Sequence, residues 1–248
     1  MHLIKEVAQN GLMWFKPVRN IAKRSHSTGP RDDPEKAMET YTFYTSHPSA
    51  SVKNRAILEL GPGQTVEVLE LALRDGAKSC SAVDILQYFS QEKMANFGIN
   101  YRIYNGRYLP YEADGFDRVW ASKVFQHLRY PQTSLREIHR VLVPGGILAC
   151  RVDLRDPYHL KDERLWVDCL KHRQRAWNAM KWNRASYVNR LRSSEWTKLF
   201  KEEGFEEVRI VMRTSAILKE QYQKTPYLQR YSEADVEIFA FDGLYRKS

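Results

Sequence analysis

The apolar run Ala56-Ile57-Leu58-Glu59-Leu60 breaks abruptly into Gly61-Pro62-Gly63. That is the pattern of a buried parallel strand handing over to a helix. Val68, Leu69, Ala72 and Leu73 then recur at helical spacing, which predicts a helix from Thr65 to Asp75 stopped by Gly76. Ala82-Val83-Asp84 ends a second strand, Asn100 to Tyr104 fits a third, and Gly115 to Trp120 a fourth. Leu135, Ile138, Val141 and Leu142 give a helix over Pro131 to Val141 its buried face. Pro144-Gly145-Gly146 turns this helix into a fifth strand, Ile147 to Val152. Farther on, Trp196, Leu199 and Phe200 mark a helix over Ser194 to Glu203, and Glu207 to Met212 and Glu237 to Tyr245 supply two last strands. Strands alternating with helices read as an α/β chain with a largely parallel sheet.

The ends are patterned differently. Ile4, Val7, Trp14, Val18 and Ile21 recur at roughly helical spacing among Lys5, Lys16, Arg19, Lys23 and Arg24, with Gly11 and Pro17 interrupting. This basic amphipathic arm either rests on a membrane surface near a lipid-linked substrate or packs on its own domain or a second subunit. Ser25 to Pro30 has the composition of a linker, and Asp33-Pro34 starts a helix with Met38, Tyr41 and Tyr44 on one face, ended by His47-Pro48. The expected organisation is an arm or lid over residues 1–50 and a core domain over 51–248, with a helical insertion at about 157–192. Gln221 to Asp235, polar and rich in tyrosine, reads as a loop covering the site.

At 248 residues, with 43% hydrophobic and 28% charged positions, the chain suits one elaborated α/β core. No apolar run approaches the roughly 18 residues of a membrane span, and Leu12 to Phe15 is too short for a secretory signal core, so the cytoplasm is the expected compartment. Cys80, Cys150 and Cys169 form no CxxC pair and have no histidine at ligand spacing, which predicts reduced thiols and no metal. A formal charge of +9 suggests an anionic partner: a phosphate-bearing substrate, nucleic acid or a membrane surface.

Chemistry concentrates at the glycine turn. Gly61 and Gly63 let backbone approach a ligand closely, and the amides opening the next helix face the same spot. Asp84, 21 positions beyond Gly63, ends the second strand where a carboxylate accepts two hydrogen bonds from a ribose diol. Together they read as an adenosine-cofactor site. A dinucleotide fold wants Gly or Ala where Val66 stands, and Glu59 would repel a pyrophosphate but receive an ammonium group.

At Glu59-Leu60-Gly61-Pro62-Gly63 the chain resembles the class I S-adenosylmethionine-dependent methyltransferases, whose first motif is an acid, any residue, Gly, any residue, Gly. With Leu109-Pro110, Phe116-Asp117, His127-Leu128 and Arg140 to Gly146 in order, residues 56–152 are similar to the methyltransferase type 11 group. The resemblance implies a Rossmann-like seven-stranded sheet in the order 3-2-1-4-5-7-6, strand seven antiparallel, helices on both faces. It implies S-adenosylmethionine as cofactor, held by Glu59, Gly61, Pro62, Gly63, Asp84, Ile85, Asn105, Gly106 and Ser122. Asn105 stands where the family commonly carries an acid that contacts the adenine amino group, and an amide accepts through its carbonyl oxygen. The nucleobase signatures Asp/Asn-Pro-Pro-Tyr and Pro-Cys are missing after strand four. Arg151 to Asp156 and Tyr187 to Arg192 resemble segments of methyltransferases associated with bacterial cell-surface glycan biosynthesis, which implies a small-molecule or glycan-type acceptor.

Methyl transfer from a sulfonium needs alignment and, for a hydroxyl acceptor, a base. His127 and Asp153 are the candidate bases, and Arg155, Asn189, Arg190 and Arg192 the candidate acceptor ligands, unless Asp153 pairs with one of these arginines. Trp166, Trp177 and Trp182 stack on sugar faces or anchor the core. Three rival readings remain: a nucleic-acid methyltransferase using the basic insertion, a nicotinamide oxidoreductase, and a non-catalytic cofactor-binding subunit.

Overall fold

The structure, a computed structural model, describes residues 2–15, 33–184 and 187–248. The linker Ser25 to Pro30 and the apolar positions Val18 and Ile21 lie outside the described residues. Seven strands form one sheet: β1 (Ala56–Leu60), β2 (Ser79–Asp84), β3 (Ile99–Ile103), β4 (Phe116–Ser122), β5 (Leu142–Asp153), β6 (Phe205–Thr214) and β7 (Ile238–Lys247). Their order is 3-2-1-4-5-7-6, with strand seven antiparallel. The first five strands pair in parallel, so the carboxyl ends of β1, β2, β3 and β4 meet at one edge. Strand order reverses beside β1, the switch point where such sheets open a crevice for ligands.

The chain divides into two compact units. The first comprises Gly29–Val152, Ser194–Met212 and Phe241–Ser248, and holds most of the sheet. Its helix α2 (Pro34–Tyr44) starts where expected, with the Asp33 side chain accepting from the Lys36 amide at 3.2 Å. The buried face is Ala37, Tyr41 and Tyr44, at spacings of four and three, while Met38 is exposed, which corrects the three-residue reading of that face. Tyr44 stacks on Trp120 of β4 with centroids 4.9 Å apart, and Tyr41 meets the same indole edge-on at 6.1 Å. Arg151 of β5 pins the helix by bonds to Glu39 (2.6 Å) and Thr40 (3.1 Å), and pairs with Asp242 of β7 at 3.2 Å.

Two boundaries differ from the pattern. Helix α3 spans Glu67–Arg74, two residues later than predicted, because Val66 sits at its N-cap with non-helical backbone. The fifth strand begins at Leu142, before the Pro-Gly-Gly turn: Leu142 pairs with Phe116 and Ile147 with Arg118, so residues 143–146 form a bulge inside the strand. A Cβ on Gly146 would stand 2.8 Å from the Val143 carbonyl oxygen, so the bulge requires glycine.

The second unit comprises Met1–Thr28, Asp153–Ser193 and Arg213–Ala240. Residues 1–50 are thus shared out: helix α1 (His2–Leu12) belongs here, with the insertion, and α2 with the sheet. Val167, Leu170, Trp177, Met180, Leu218, Leu228 and Val236 form its core. The stretch Gln221 to Asp235 is largely helical, not a loop: it continues a helix from Ala216 to Lys224, a 3-10 stretch over Pro226–Arg230, and enters another at Glu233. Its polar residues hide the anchor Leu228, which like Val236 just beyond the stretch is fully buried.

Arg192 is a correction of the same kind. It is fully buried and donates to the carbonyls of Leu154 (2.9 Å), Asp235 (2.6 and 3.0 Å) and Ile238, fixing the strand ends rather than meeting a phosphate. Trp177 is likewise a core residue whose indole N–H donates to the Val188 carbonyl at 2.8 Å. Among the described residues, no helix is long and apolar enough to cross a membrane.

Replacing Arg192 by Leu strands three buried carbonyls, each costing about 1–3 kcal/mol. Denaturant unfolding of Arg192→Leu is therefore expected to show a loss of about 3 kcal/mol or more, and Arg192→Lys, lacking the planar fork, to recover only part of it.

Candidate functional site

The site is built on the first unit at the carboxyl ends of β1 to β4. Gly61 and Gly63 have φ of +62° and +71°, a region that disfavours any side chain. Gly61 is also crowded, since a Cβ there would stand 2.7 Å from a Val124 methyl carbon. The Gly61 amide donates to the Val83 carbonyl at 2.8 Å, which ties the turn to β2. Asp84 closes the arrangement from the other side: one carboxylate oxygen accepts from the Gly63 amide at 3.3 Å and the other from the Leu86 amide at 3.0 Å. A buried carboxylate is thereby held rigidly at the end of β2 against the glycine turn.

Glu59 is the chemically unusual member. In register it lies between Ala82 of β2 and Trp120 of β4, and it is only 5% exposed. Its Oε2 has no hydrogen-bond partner among the described residues. Burial, and then the nearby Asp84, push its carboxyl up to about 8. Near neutral pH the side chain is therefore mostly protonated. An ammonium group would supply both the positive charge and the donors that this acceptor lacks.

The rim continues on the next two strands. The Tyr104 amide donates to the Asp84 carbonyl at 3.0 Å, leading into Asn105 and Gly106. Gly106, at φ +78°, passes close to Ile85, whose methyl carbon would be 3.3 Å from a Cβ there. The Asn105 carbonyl oxygen accepts from the Arg107 and Tyr108 amides at 2.9 and 3.0 Å. The oxygen that the resemblance offers to an adenine amino group thus shapes the loop, and the amide N–H groups are what Asn105 has left to present. After Ser122, Lys123 takes φ +57° and its amide donates to the Arg151 carbonyl at 2.7 Å. His127, half-buried, follows in the 3-10 turn Phe125–His127, three residues past the valine that covers Gly61. Glu59, Gly61, Pro62, Gly63, Asp84, Ile85, Asn105, Gly106, Ser122 and His127 all fall along this edge of one unit.

Trp120 and Val124 escaped the sequence reading of the site. Trp120 becomes a neighbour of Glu59 only through strand register, and Tyr44 only through its stack on that indole.

The proposed acceptor residues belong to the second unit and are engaged there. Asp153 ends β5 and receives Arg155 through three bonds: from its amide (3.1 Å), Nε (2.9 Å) and Nη2 (2.6 Å). The same guanidinium lies over Trp166 at 4.8 Å. Arg190 donates to the Cys169 and His172 carbonyls at 3.0 and 2.7 Å and lies over Trp177. The Asn189 side chain accepts from the Leu191 amide at 3.2 Å. Asp153 pairs with an arginine, as the alternative reading had it, and this engages both oxygens a general base would need.

Compared with known proteins, residues 58–150 match a family model described as a methyltransferase domain. Over 51 residues the chain is 39% identical to methyltransferase GfsG of Streptomyces halstedii, covering 21% of this chain and 18% of that protein. It thus spans about a fifth of that curated relative's length. A solved S-adenosylmethionine-dependent methyltransferase from Mesorhizobium loti is similar in fold, at TM-score 0.57 and 17% identity over 86% of this chain and all (100%) of that one. The cyclase SpnF is similar at TM-score 0.56 and 17% identity, over 86% and 80% of the two chains. These structural likenesses show a shared fold.

The raised Glu59 carboxyl has a signed consequence. Below about pH 4.5 it is protonated whether folded or unfolded; between there and about 8 only the unfolded chain releases the proton, so stability falls as pH rises. Denaturation midpoints of ligand-free protein should decline across this window, and Glu59→Gln should flatten that part of the decline and be the more stable protein at pH 8.

Proposed function

We propose, from the match of residues 58–150 to a methyltransferase-domain model, that this protein is an S-adenosylmethionine-dependent methyltransferase that methylates a hydroxyl on a small-molecule or glycan-type acceptor. The observation that carries the cofactor assignment is the donor-less Oε2 of Glu59 beside the glycine turn, opposite an Asp84 held by the Gly63 and Leu86 amides. S-adenosylmethionine, when bound, supplies an activated methyl group suited to in-line displacement. Glu59 receives the ammonium, Asp84 accepts from the ribose diol, and the Gly61-Pro62-Gly63 backbone lets the ligand come close. Ile85, Asn105, Gly106 and Ser122 border the same edge.

His127 is the base in this reading. A ring nitrogen takes the acceptor's hydroxyl proton as its oxygen becomes the nucleophile, a task suited to an imidazole near pH 7. Asp153, bound by Arg155, positions that arginine instead. What favours a small acceptor over a nucleic acid is the use of Arg190 and Arg192 on backbone carbonyls, which removes two cations from any phosphate-binding groove. The glycan-type acceptor rests on the likeness of Arg151 to Asp156 and Tyr187 to Arg192 to segments of glycan-pathway methyltransferases.

Calorimetric titration with S-adenosylhomocysteine is expected to show binding that weakens by about 10–100-fold in Asp84→Ala, the value of one or two hydrogen bonds to a charged group. NADH should not bind. With the acceptor in hand, His127→Ala should lower kcat by about 100-fold or more while leaving cofactor affinity unchanged; full turnover in that variant would remove the histidine from the mechanism.

A further inference from the structure

Helix α1 is amphipathic, and it is mounted with its polar face inward. Asn10, buried, donates from its side chain to the Ala179 carbonyl at 2.9 Å and accepts from the Asn183 amide at 2.8 Å. Glu6 pairs with Lys181 at 2.5 Å and with Arg184 at 3.3 Å, and Gln9 accepts from Arg184 at 2.7 Å. Glu6, Gln9 and Asn10 share one side of an α-helix, so Ile4, Val7 and Leu12 fall on the opposite side. These are indeed open: Ile4 is 74% exposed, Leu12 53% and Val7 41%. Trp14 and Phe15, in the turn that ends the helix, are 74% and 64% exposed. Rolling the helix to bury this face would break every one of the polar bonds just named, so the apolar face is directed outward by construction.

The charge of α1 and of the segment it packs on is mostly of one sign. Residues 2–15 and 173–184, which include α1 and the helix α6 (Gln174–Lys181) it packs on, contain five cations, Lys5, Arg173, Arg175, Lys181 and Arg184, against the single carboxylate Glu6. Lys5, Arg173 and Arg175 are exposed. An exposed apolar stripe ending in two aromatic residues, within a cationic surround, has the chemistry of an anionic bilayer surface: acyl-boundary contact for the side chains, phosphate or carboxylate headgroups for the cations.

We propose that α1 docks the protein peripherally on anionic phospholipid membranes through Ile4, Val7, Leu12, Trp14 and Phe15. None of these residues is among those assigned to the cofactor, so the proposal stands or falls independently of the methyl-transfer reading. Full-length protein should cosediment with vesicles containing 30% phosphatidylglycerol far better than with pure phosphatidylcholine vesicles, and lose most of that binding at 0.5 M salt. Trp14→Ser/Phe15→Ser should reduce partitioning at least tenfold with an unchanged circular dichroism spectrum and unchanged S-adenosylhomocysteine affinity. Binding to neither vesicle, or partitioning unaffected by the double substitution, would overturn it. So would light scattering that shows a stable dimer which the double substitution dissociates, because the occupant of the face would then be a second copy of the chain.

Discussion

A carboxyl buried near the end of a central strand, one oxygen of which has no hydrogen-bond partner among the described residues, is a cost that the fold carries until a donor arrives. Glu59 is in that position, and the rest of the site is arranged around it. Trp120 and Ala82 flank it through strand register, and the glycine turn begins two residues on. Asp84, close enough to raise the Glu59 carboxyl further, is itself stabilised by two backbone amides. The two carboxyls receive opposite treatment, Asp84 accepting from two amides and Glu59 Oε2 from none of the described residues, and the proposed cofactor would set its diol at the first and its ammonium at the second. The adenosine, sulfonium and amino-acid groups of the proposed cofactor fit that sequence of demands, whereas a pyrophosphate would meet two acids.

The two units divide the chemistry. The sheet unit contains every residue assigned to the cofactor and the proposed base. The other unit commits three of its arginines to itself: Arg155 to Asp153, Arg190 to loop carbonyls, Arg192 to strand ends. Guanidinium groups are well suited to such work, because a planar fork reaches several carbonyls at once. A cluster of Arg, Trp and His in a sequence therefore looks the same whether it binds an anionic ligand or braces an insertion with little regular structure.

That ambiguity marks how far the sequence could be read. The positions of Glu59, Gly61, Gly63, Asp84 and His127 were legible because each depends on a local constraint, a positive φ, a strand end or a short turn after β4, whereas strand order was carried by the family resemblance. The helix starting at Asp33-Pro34 was legible for the same reason, through its cap. What could not be read depends on partners distant in the chain. The exposed Met38, the helical fold of 221–235 and the carbonyl cradle of Arg192 each follow from contacts that no spacing rule displays. The inverted mounting of α1 is of this kind as well, since its amphipathic pattern is the same whichever face turns inward.

The most direct test of the account compares two ligands on two proteins: S-adenosylhomocysteine and 5′-methylthioadenosine, which lacks the amino-acid group, each titrated into wild type and Glu59→Gln. If Glu59 receives the ammonium, deleting that group from the ligand weakens binding to wild type by about 10–100-fold, the range of a charge-assisted hydrogen bond, and changes binding to the variant far less. Equal losses in both proteins would show that the buried carboxyl serves something other than the cofactor, and the central assignment would be wrong.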